Sequence, residues 1–289
     1  HQALRDLLVR QALRHHPADF RRYLAHLSAG KPERYHRKVR AWLPIQEVEA
    51  RSLRNGDLLL YPLNDQVTPV PAVNLDDYVT RKHRFGPRPP SLPVVTANED
   101  FLRILGYWIA EGSSHRAYIR FSLGNHEEEF VQDIVASLKR IFGLTAAVHR
   151  RSGAKSGIEI TACHAWLASA FENLCGSGAA QKHIPFVLQE LRPEMQRVLI
   201  EAIFRGDGTQ AIANKSTKIK RSITTISNVL SEQLVDILLR LGKFPSLTIS
   251  KEKTDAKGVH HRTAYTVTWS ERATPRYNLI YYKDDGARY

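Results

Sequence analysis

The sequence predicts an α+β protein made of two αββαββα halves in tandem, related by a pseudo-twofold axis and preceded by a smaller region of helix and strand. The first observation behind this is a repeated motif. Ile104-Leu105-Gly106-Tyr107-Trp108-Ile109-Ala110-Glu111-Gly112 and Ile200-Glu201-Ala202-Ile203-Phe204-Arg205-Gly206-Asp207-Gly208 are both helical runs with small residues on one face, ending in an acid and a glycine. The second is that the same order of elements follows each motif. The third is composition: 43% hydrophobic and 25% charged residues describe a globular chain. The 289 residues suffice for real cores. We expect an accessory region over 1–95, a first half over 96–192 and a second over 193–289.

Residues 1 to about 30 read as helix, with Leu4, Leu7, Leu8 and Leu13 near helical spacing and Pro17 interrupting the run. Asn55-Gly56-Asp57 is a turn into a strand over Leu58–Tyr61. Residues 64 to 98 are rich in Pro, Val and Arg, and Lys82 to Pro90 reads as an extended basic linker, placing a domain boundary near residue 95. The first motif helix follows, with Asn98 as N-cap and Glu99 and Asp100 in its first turn. Ala117–Leu123 alternates as a strand, and Glu127–Phe142 is an amphipathic helix closed by Gly143, with Phe130, Ile134, Leu138 and Ile141 inward. Strands are predicted near Thr145–Arg151 and Gly157–Thr161, then a helix over His164–Leu174.

The second half repeats the order. Glu194–Gly208 is helix, Ile219–Ser227 strand, Leu230–Leu241 an amphipathic helix closed by Gly242, and Ser246–Ser250 and Thr263–Trp269 strands. Asn125 and Asn228 take matching places in the turn before the second helix of each half.

Forty-two Lys and Arg against 29 Asp and Glu leave a formal charge of +13, which suggests a polyanionic partner. Two cysteines, Cys163 and Cys175, without zinc spacing, argue against a disulfide framework or a structural zinc and fit a reducing, intracellular setting. No apolar run reaches transmembrane length and no signal peptide opens the chain, so no membrane partner is expected. The chain opens at His1 without Met, which reads as a piece of a longer product.

Helices with small residues on one face (Gly106, Ala110, Ala202 and Gly206 here) can pack backbone against backbone. A carboxylate on the last turn of each would then meet its counterpart. Glu111 and Asp207, so placed, offer hard oxygen ligands to Mg²⁺, which keeps waters and accepts phosphate oxygens. Either motif alone is also what a glycine-capped surface helix looks like. The matched pair in a basic chain favours function.

The two motifs resemble the paired signature of the LAGLIDADG homing endonucleases in their two-motif, single-chain form, over residues 98 to about 270. Lys182-His183-Ile184-Pro185 resembles the Lys-x-Ile-Pro element that follows the first half in intein-type members. Glu47 to Pro62 resembles, over a short stretch, the intein segment ahead of the endonuclease. The resemblance implies a monomer whose two sheets form a saddle over the DNA major groove. It also implies cleavage of both strands of a long, asymmetric site to staggered ends, with Mg²⁺ as cofactor and Mn²⁺ or Ca²⁺ able to substitute. Glu111 and Asp207 would hold metal, and Lys182 would steady the nucleophilic water or the transition-state charge. No second Lys-x-Ile-Pro occurs, and Lys283 is a poor substitute. Asn125 and Asn228 would lie beside the active site. His1 stands where an intein has Cys or Ser and Arg288-Tyr289 where it has His-Asn, so self-splicing is not expected.

The same resemblance assigns DNA contacts to outward residues of the strands. On the first sheet these are Arg116, Tyr118, Arg120, Arg150, Arg151 and Lys155. On the second they are Lys215, Lys218, Lys220, Arg221, Lys251, Lys253, His260 and Arg262. Two rivals on the same scaffold are an RNA-binding intron maturase, which does not need both acids, and a DNA-binding protein without nuclease activity.

Overall fold

The computed structural model describes residues 49–52, 66–69, 72–80, 91–153, 156–212, 219–256, 258–271, 283–284 and 287–288. The expected N-terminal helix, the Leu58–Tyr61 strand, the Lys82–Arg88 linker, Lys155, Lys215 and Lys218 lie outside the described residues. The chain divides into two compact units, one of residues 64–272 and one of 1–63 with 273–289. In the latter the described pieces are a short turn of helix at Ala50–Ser52 and a strand pair, Lys283–Asp284 with Ala287–Arg288.

A boundary is expected near residue 95, and described residues on both sides of it share one core. Strand β1 (Ala72–Asn74) pairs antiparallel with β2 (Val94–Thr96), and Val73, Leu75, Leu92 and Val95 are buried in the main core. This apolar content makes the segment part of the unit that follows it.

Helix α1 spans Glu99–Glu111. Asn98 caps it as expected, its side chain accepting from Phe101 N–H at 3.0 Å, and Glu99 and Asp100 face the positive end of the helix dipole. Strand β3 (Gly112–His115) leaves it directly and turns into β4 (Tyr118–Leu123). Helix α2 (Glu128–Phe142) ends at Gly143, whose φ of 66° is the left-handed conformation glycine adopts without strain. Then come β5 (Ala147–Arg151), β6 (Gly157–Cys163) and α3 (Ala165–Cys175), capped by His164.

The second half begins with α4 (Pro193–Asp207), with Pro at its first position. It continues through β7 (Gly208–Ile212), β8 (Ile219–Thr225) and α5 (Asn228–Arg240) to β9 (Ser246–Ser250). A small hairpin, β10 (Lys253–Thr254) with β11 (His260–His261), precedes β12 (Ala264–Ser270).

Each half makes one four-stranded antiparallel sheet, and the two sheets have the same topology: β3-β4-β6-β5 and β7-β8-β12-β9. The fold is thus mixed α and β, with five α-helices among the described residues and antiparallel sheets. One face of each sheet is apolar. Ile119, Phe121, Ile158 and Ile160 are buried on the first, and Ile223, Val267 and Trp269 on the second. Strands β3 and β7 are additions to the expected elements. They start at a glycine, are polar, and occupy sheet edges, so they lack the alternation that marks a half-buried strand.

Candidate metal site and nucleic-acid face

The site is set by how α1 meets α4. These helices make the most extensive contact between any two elements. A Cβ built on Gly106 would lie 2.5 Å from the Ala202 Cβ and 2.9 Å from the Leu199 carbonyl oxygen. A Cβ on Gly206 would lie 2.5 Å from the Ala110 Cβ. Gly106 and Ala202 hold the same place in the two motifs, as do Ala110 and Gly206. Each contact therefore joins equivalent positions of the two motifs. All four interface residues read from the sequence lie in this seam.

The next residues are the two acids. Glu111 ends α1 and Asp207 ends α4. A Cβ on Gly206 would stand 2.9 Å from Glu111 Cγ and 3.6 Å from its Oε1, so the Glu111 carboxyl lies against the last turn of the opposite helix. Both following glycines are forced by space. A Cβ on Gly112 would strike Trp108 at 2.5 Å, and one on Gly208 would strike the Phe204 carbonyl at 2.1 Å, because the chain leaves each helix directly into a strand.

Electrostatics reflect this crowding. Burial first, then the neighbouring Asp207 and Glu127 carboxylates, push the Glu111 carboxyl up to about 7. Burial raises Asp207 to about 6, while the Lys182 ammonium pulls it down. Asp207 is exposed as a residue.

Lys182 is buried, with 4% of its surface exposed. Its Nζ donates to the Trp108 carbonyl at 2.7 Å and sits 4.1 Å from the centroid of the Trp108 ring. The amine so caps the C-terminal end of α1, where the helix dipole favours a cation. Burial lowers it to about 8, opposed by Cys175 and Asp207. Lys182 and Asp207 share a cleft of about 290 Å³ with Ile109, Ala110, Gly112, Ala179, Thr224, Thr225 and Ile226. Asn228 is exposed and turns to Glu232 at 2.8 Å, and Asn125 is exposed in its turn. Thr224 and Thr225 occupy the cleft wall where Asn228 was expected.

Among the described residues, no third His, Cys, Asp or Glu completes a cluster able to hold a metal ion with these acids. Two carboxylates fit Mg²⁺, which binds through one or two of them and fills its other positions with water and phosphate oxygens. The donor set is too sparse for a site built wholly from protein.

Strand register sorts the basic residues. On the first sheet Tyr118 and Arg120 lie on the face away from the helices, and Tyr118 stacks on His115 at 5.1 Å. Arg151 shares this face with His149 and Glu159. Arg150 does not. It opposes buried Ile158, points to the helix side and pairs with Glu128 of α2. On the second sheet Lys220 faces outward, opposite Ser270. Arg221 opposes buried Trp269. It donates to Glu201 at 2.7 Å, lies 3.1 Å from Glu271, and covers the Phe204 ring at 4.5 Å.

Arg150 and Arg221 are thus removed from the expected DNA face, because neighbouring residues on a strand point to opposite sides. Arg116 is exposed in the β3–β4 turn, and Lys251, Lys253, His260 and Arg262 are exposed on or beside the β10–β11 hairpin. Reasoning from charge missed His149 and Glu159. It also missed the hydroxyl rows of the second sheet, Ser222 and Thr224 on β8, Thr248 on β9, and Thr266 and Thr268 on β12.

The chain is 28% identical over 246 residues to an uncharacterised protein of Methanocaldococcus jannaschii, covering 84% of this chain and 29% of that protein. It is 30% identical over 158 residues to a DNA polymerase of Thermococcus hydrothermalis, covering 52% and 9%, and 26% identical over 188 residues to a DNA gyrase subunit of Mycobacterium gordonae, covering 64% and 32%. The chain spans about a third or less of the length of these relatives. Among solved structures, I-DmoI in complex with DNA and Ca aligns with a TM-score of 0.40 at 12% identity, covering 61% of this chain and 84% of that one. The N-terminal LAGLIDADG domain of DUF199/WhiA aligns with a TM-score of 0.40 at 12% identity, covering 67% and 82%. The family model described as LAGLIDADG-like domain matches residues 194–289, so the second half of this chain is similar to a LAGLIDADG-like domain.

Proposed function

We propose that the chain is a site-specific double-stranded DNA endonuclease of the homing type, working as a pseudo-twofold monomer with Mg²⁺. The observation that carries this reading is the seam that brings Glu111 and Asp207 together through contacts of equivalent small residues, with Lys182 in the cleft beside Asp207. Glu111 and Asp207 would hold the metal, which needs both carboxylates ionised. A bound Mg²⁺ would lower the pKa of a water it carries and offset charge on the phosphodiester. The Lys182 ammonium, aimed by the Trp108 carbonyl, would meet negative charge growing on the phosphate or hold a proton beside the attacking water. Thr224 and Thr225 would border the scissile group. Two equivalent acids suit the cutting of two antiparallel strands, and the offset of the cuts would give staggered ends.

The two sheets would lie along a long asymmetric site. Tyr118, Arg120, Arg151 and Lys220 would face the duplex, and the β10–β11 hairpin would extend the contact. The partial matches support an intein-derived origin. A segment shared with a DNA polymerase and a gyrase, and covering only 9% and 32% of the matched chains, behaves as a separable insertion.

The test is incubation of the purified chain with supercoiled plasmid carrying the rejoined flanks of the gene's insertion point, in Mg²⁺ or in EDTA. Linear product in Mg²⁺ alone, abolished in Glu111→Gln and in Asp207→Asn, is the expected result. Tight duplex binding without cleavage would replace the reading with a DNA-binding protein, and preferential binding of intron RNA with a maturase.

A further inference from the structure

The outer face of the first sheet carries a carboxylate among its cations. Glu159 on β6 stands opposite Ser122 of β4 and His149 of β5, in the middle of that face. Its Oε2 accepts from Arg151 Nη2 and lies 4.0 Å from Arg120 Nη1, while Arg120 Nε donates to Ser113 Oγ at 3.1 Å. Both guanidiniums thus rest on one carboxylate, and all three side chains keep access to solvent.

The second sheet is built differently at the same place. Thr266 stands opposite Thr224 and Thr248, and the Thr224 and Thr266 hydroxyls are 3.0 Å apart. On the outward positions of β7, β8, β9 and β12, Lys220 is the one charged side chain among the described residues.

A carboxylate facing a polyanion lowers affinity, so whatever Glu159 contributes is something else. An arginine has five N–H donors, and a tether to carboxylate leaves others free in a fixed fork. A fixed fork matches the O6 and N7 of guanine, whereas a free arginine settles on any phosphate within reach. We propose that Glu159 is a specificity-determining positioning residue, holding Arg151 and Arg120 for base-edge contact at the expense of general affinity for DNA. This rests on the DNA-binding reading above.

The experiment is selection of bound duplexes from a randomised DNA pool by the full chain, wild type and E159Q, together with titration of a fixed duplex of unrelated sequence at two salt concentrations. Wild type should enrich a consensus. E159Q should lose base preference over a few adjacent positions and bind the unrelated duplex about threefold or more tightly, with a salt dependence steeper by about one counterion. R151Q should lose preference within the same positions while binding the unrelated duplex more weakly. Enrichment of the wild-type consensus by E159Q, at unchanged strength, would overturn the role of Glu159 and leave DNA recognition standing. A wild-type chain that neither enriches a consensus nor binds the unrelated duplex would instead remove the DNA-binding reading, and this inference with it.

Discussion

Ala110 and Gly206 meet so closely that a methyl group on the glycine would fall 2.5 Å from the Ala110 Cβ. The contact lies one residue before each acid, so the width of the seam here sets how Glu111 stands to Asp207. Ala110→Leu adds three carbons to a place with no room for one. Overpacking of this kind costs about 1–3 kcal/mol, within reach of a stable fold. The acids, however, would be pushed apart by an ångström or more, and a displacement of that size costs about 100-fold in rate. Plasmid cleavage should fall by that factor or more while duplex binding in a gel-shift assay changes less than about threefold. Cleavage at the wild-type rate would show that the seam does not set the site.

Lys182 tests the chemistry separately from the packing. Its ammonium is buried with one hydrogen bond, to a carbonyl that also accepts from Gly112 N–H. Replacing it by Met leaves no orphaned acceptor and removes a desolvated charge, so the melting temperature should stay within about 2–4 °C of wild type. Cleavage should drop by about 10²–10⁴, the range for loss of a positioned proton donor or acceptor, with duplex affinity retained. A large fall in melting temperature with cleavage intact would make Lys182 a structural residue.

Much of this architecture is legible in the sequence because its signals are local. The Asn98 cap, the left-handed Gly143 and the alternation of Ile119, Phe121 and Leu123 each depend on residues within a turn or two. The small-residue seam is legible because it occurs twice. What resists reading is parity and partnership at a distance. Arg150 and Arg151 look alike in the chain, yet only the pairing of β5 with β6 reveals that Arg150 faces Glu128 and Arg151 faces outward. Lys182 is marked in the sequence by its Lys-x-Ile-Pro setting, but its burial is not, because that depends on Trp108, far earlier in the chain. Glu159, an acid in a basic protein, gives no hint that it lies between two arginines.

The raised carboxyls predict a particular pH response. Glu111 titrates at about 7 in the folded chain against 4.5 when free, so between those values the folded state holds more protons than the unfolded. Stability then falls as pH rises through that window, the reverse of the usual salt-bridged acid. Asp207 acts in the same direction over its shorter window, from 3.8 to about 6. In EDTA the melting temperature should fall by about 2–6 °C between pH 5 and pH 8, solvent screening having reduced the full effect. Mg²⁺ should recover part of the loss at pH 8 and little at pH 5, where the acids are protonated. Glu111→Gln should flatten the slope in EDTA. A melting temperature that rises steadily over this range in the wild type, unchanged in the variant, would contradict the placement of these carboxyls.

Lys220 and Arg221 are adjacent cations on β8 that face opposite sides of one sheet, and they should fail in opposite ways. Arg221 bridges Glu201 of α4 and Glu271 and covers the Phe204 ring. Its removal strips a partly buried cation from two carboxylates and exposes an aromatic face, a loss of about 1–3 kcal/mol. Arg221→Ala should therefore melt several degrees lower, yet bind duplex with an unchanged salt dependence when folded. Lys220 is exposed, and its backbone pairs with Ser270 and Ala211 in the sheet. Lys220→Ala should melt as wild type and lose about one unit of the salt slope in duplex binding, the mark of one phosphate contact removed. If Arg221→Ala reduced the salt slope and Lys220→Ala the stability, the register of β8 against β12 would have to shift by one residue, and the duplex-facing side of the second sheet would be the other one.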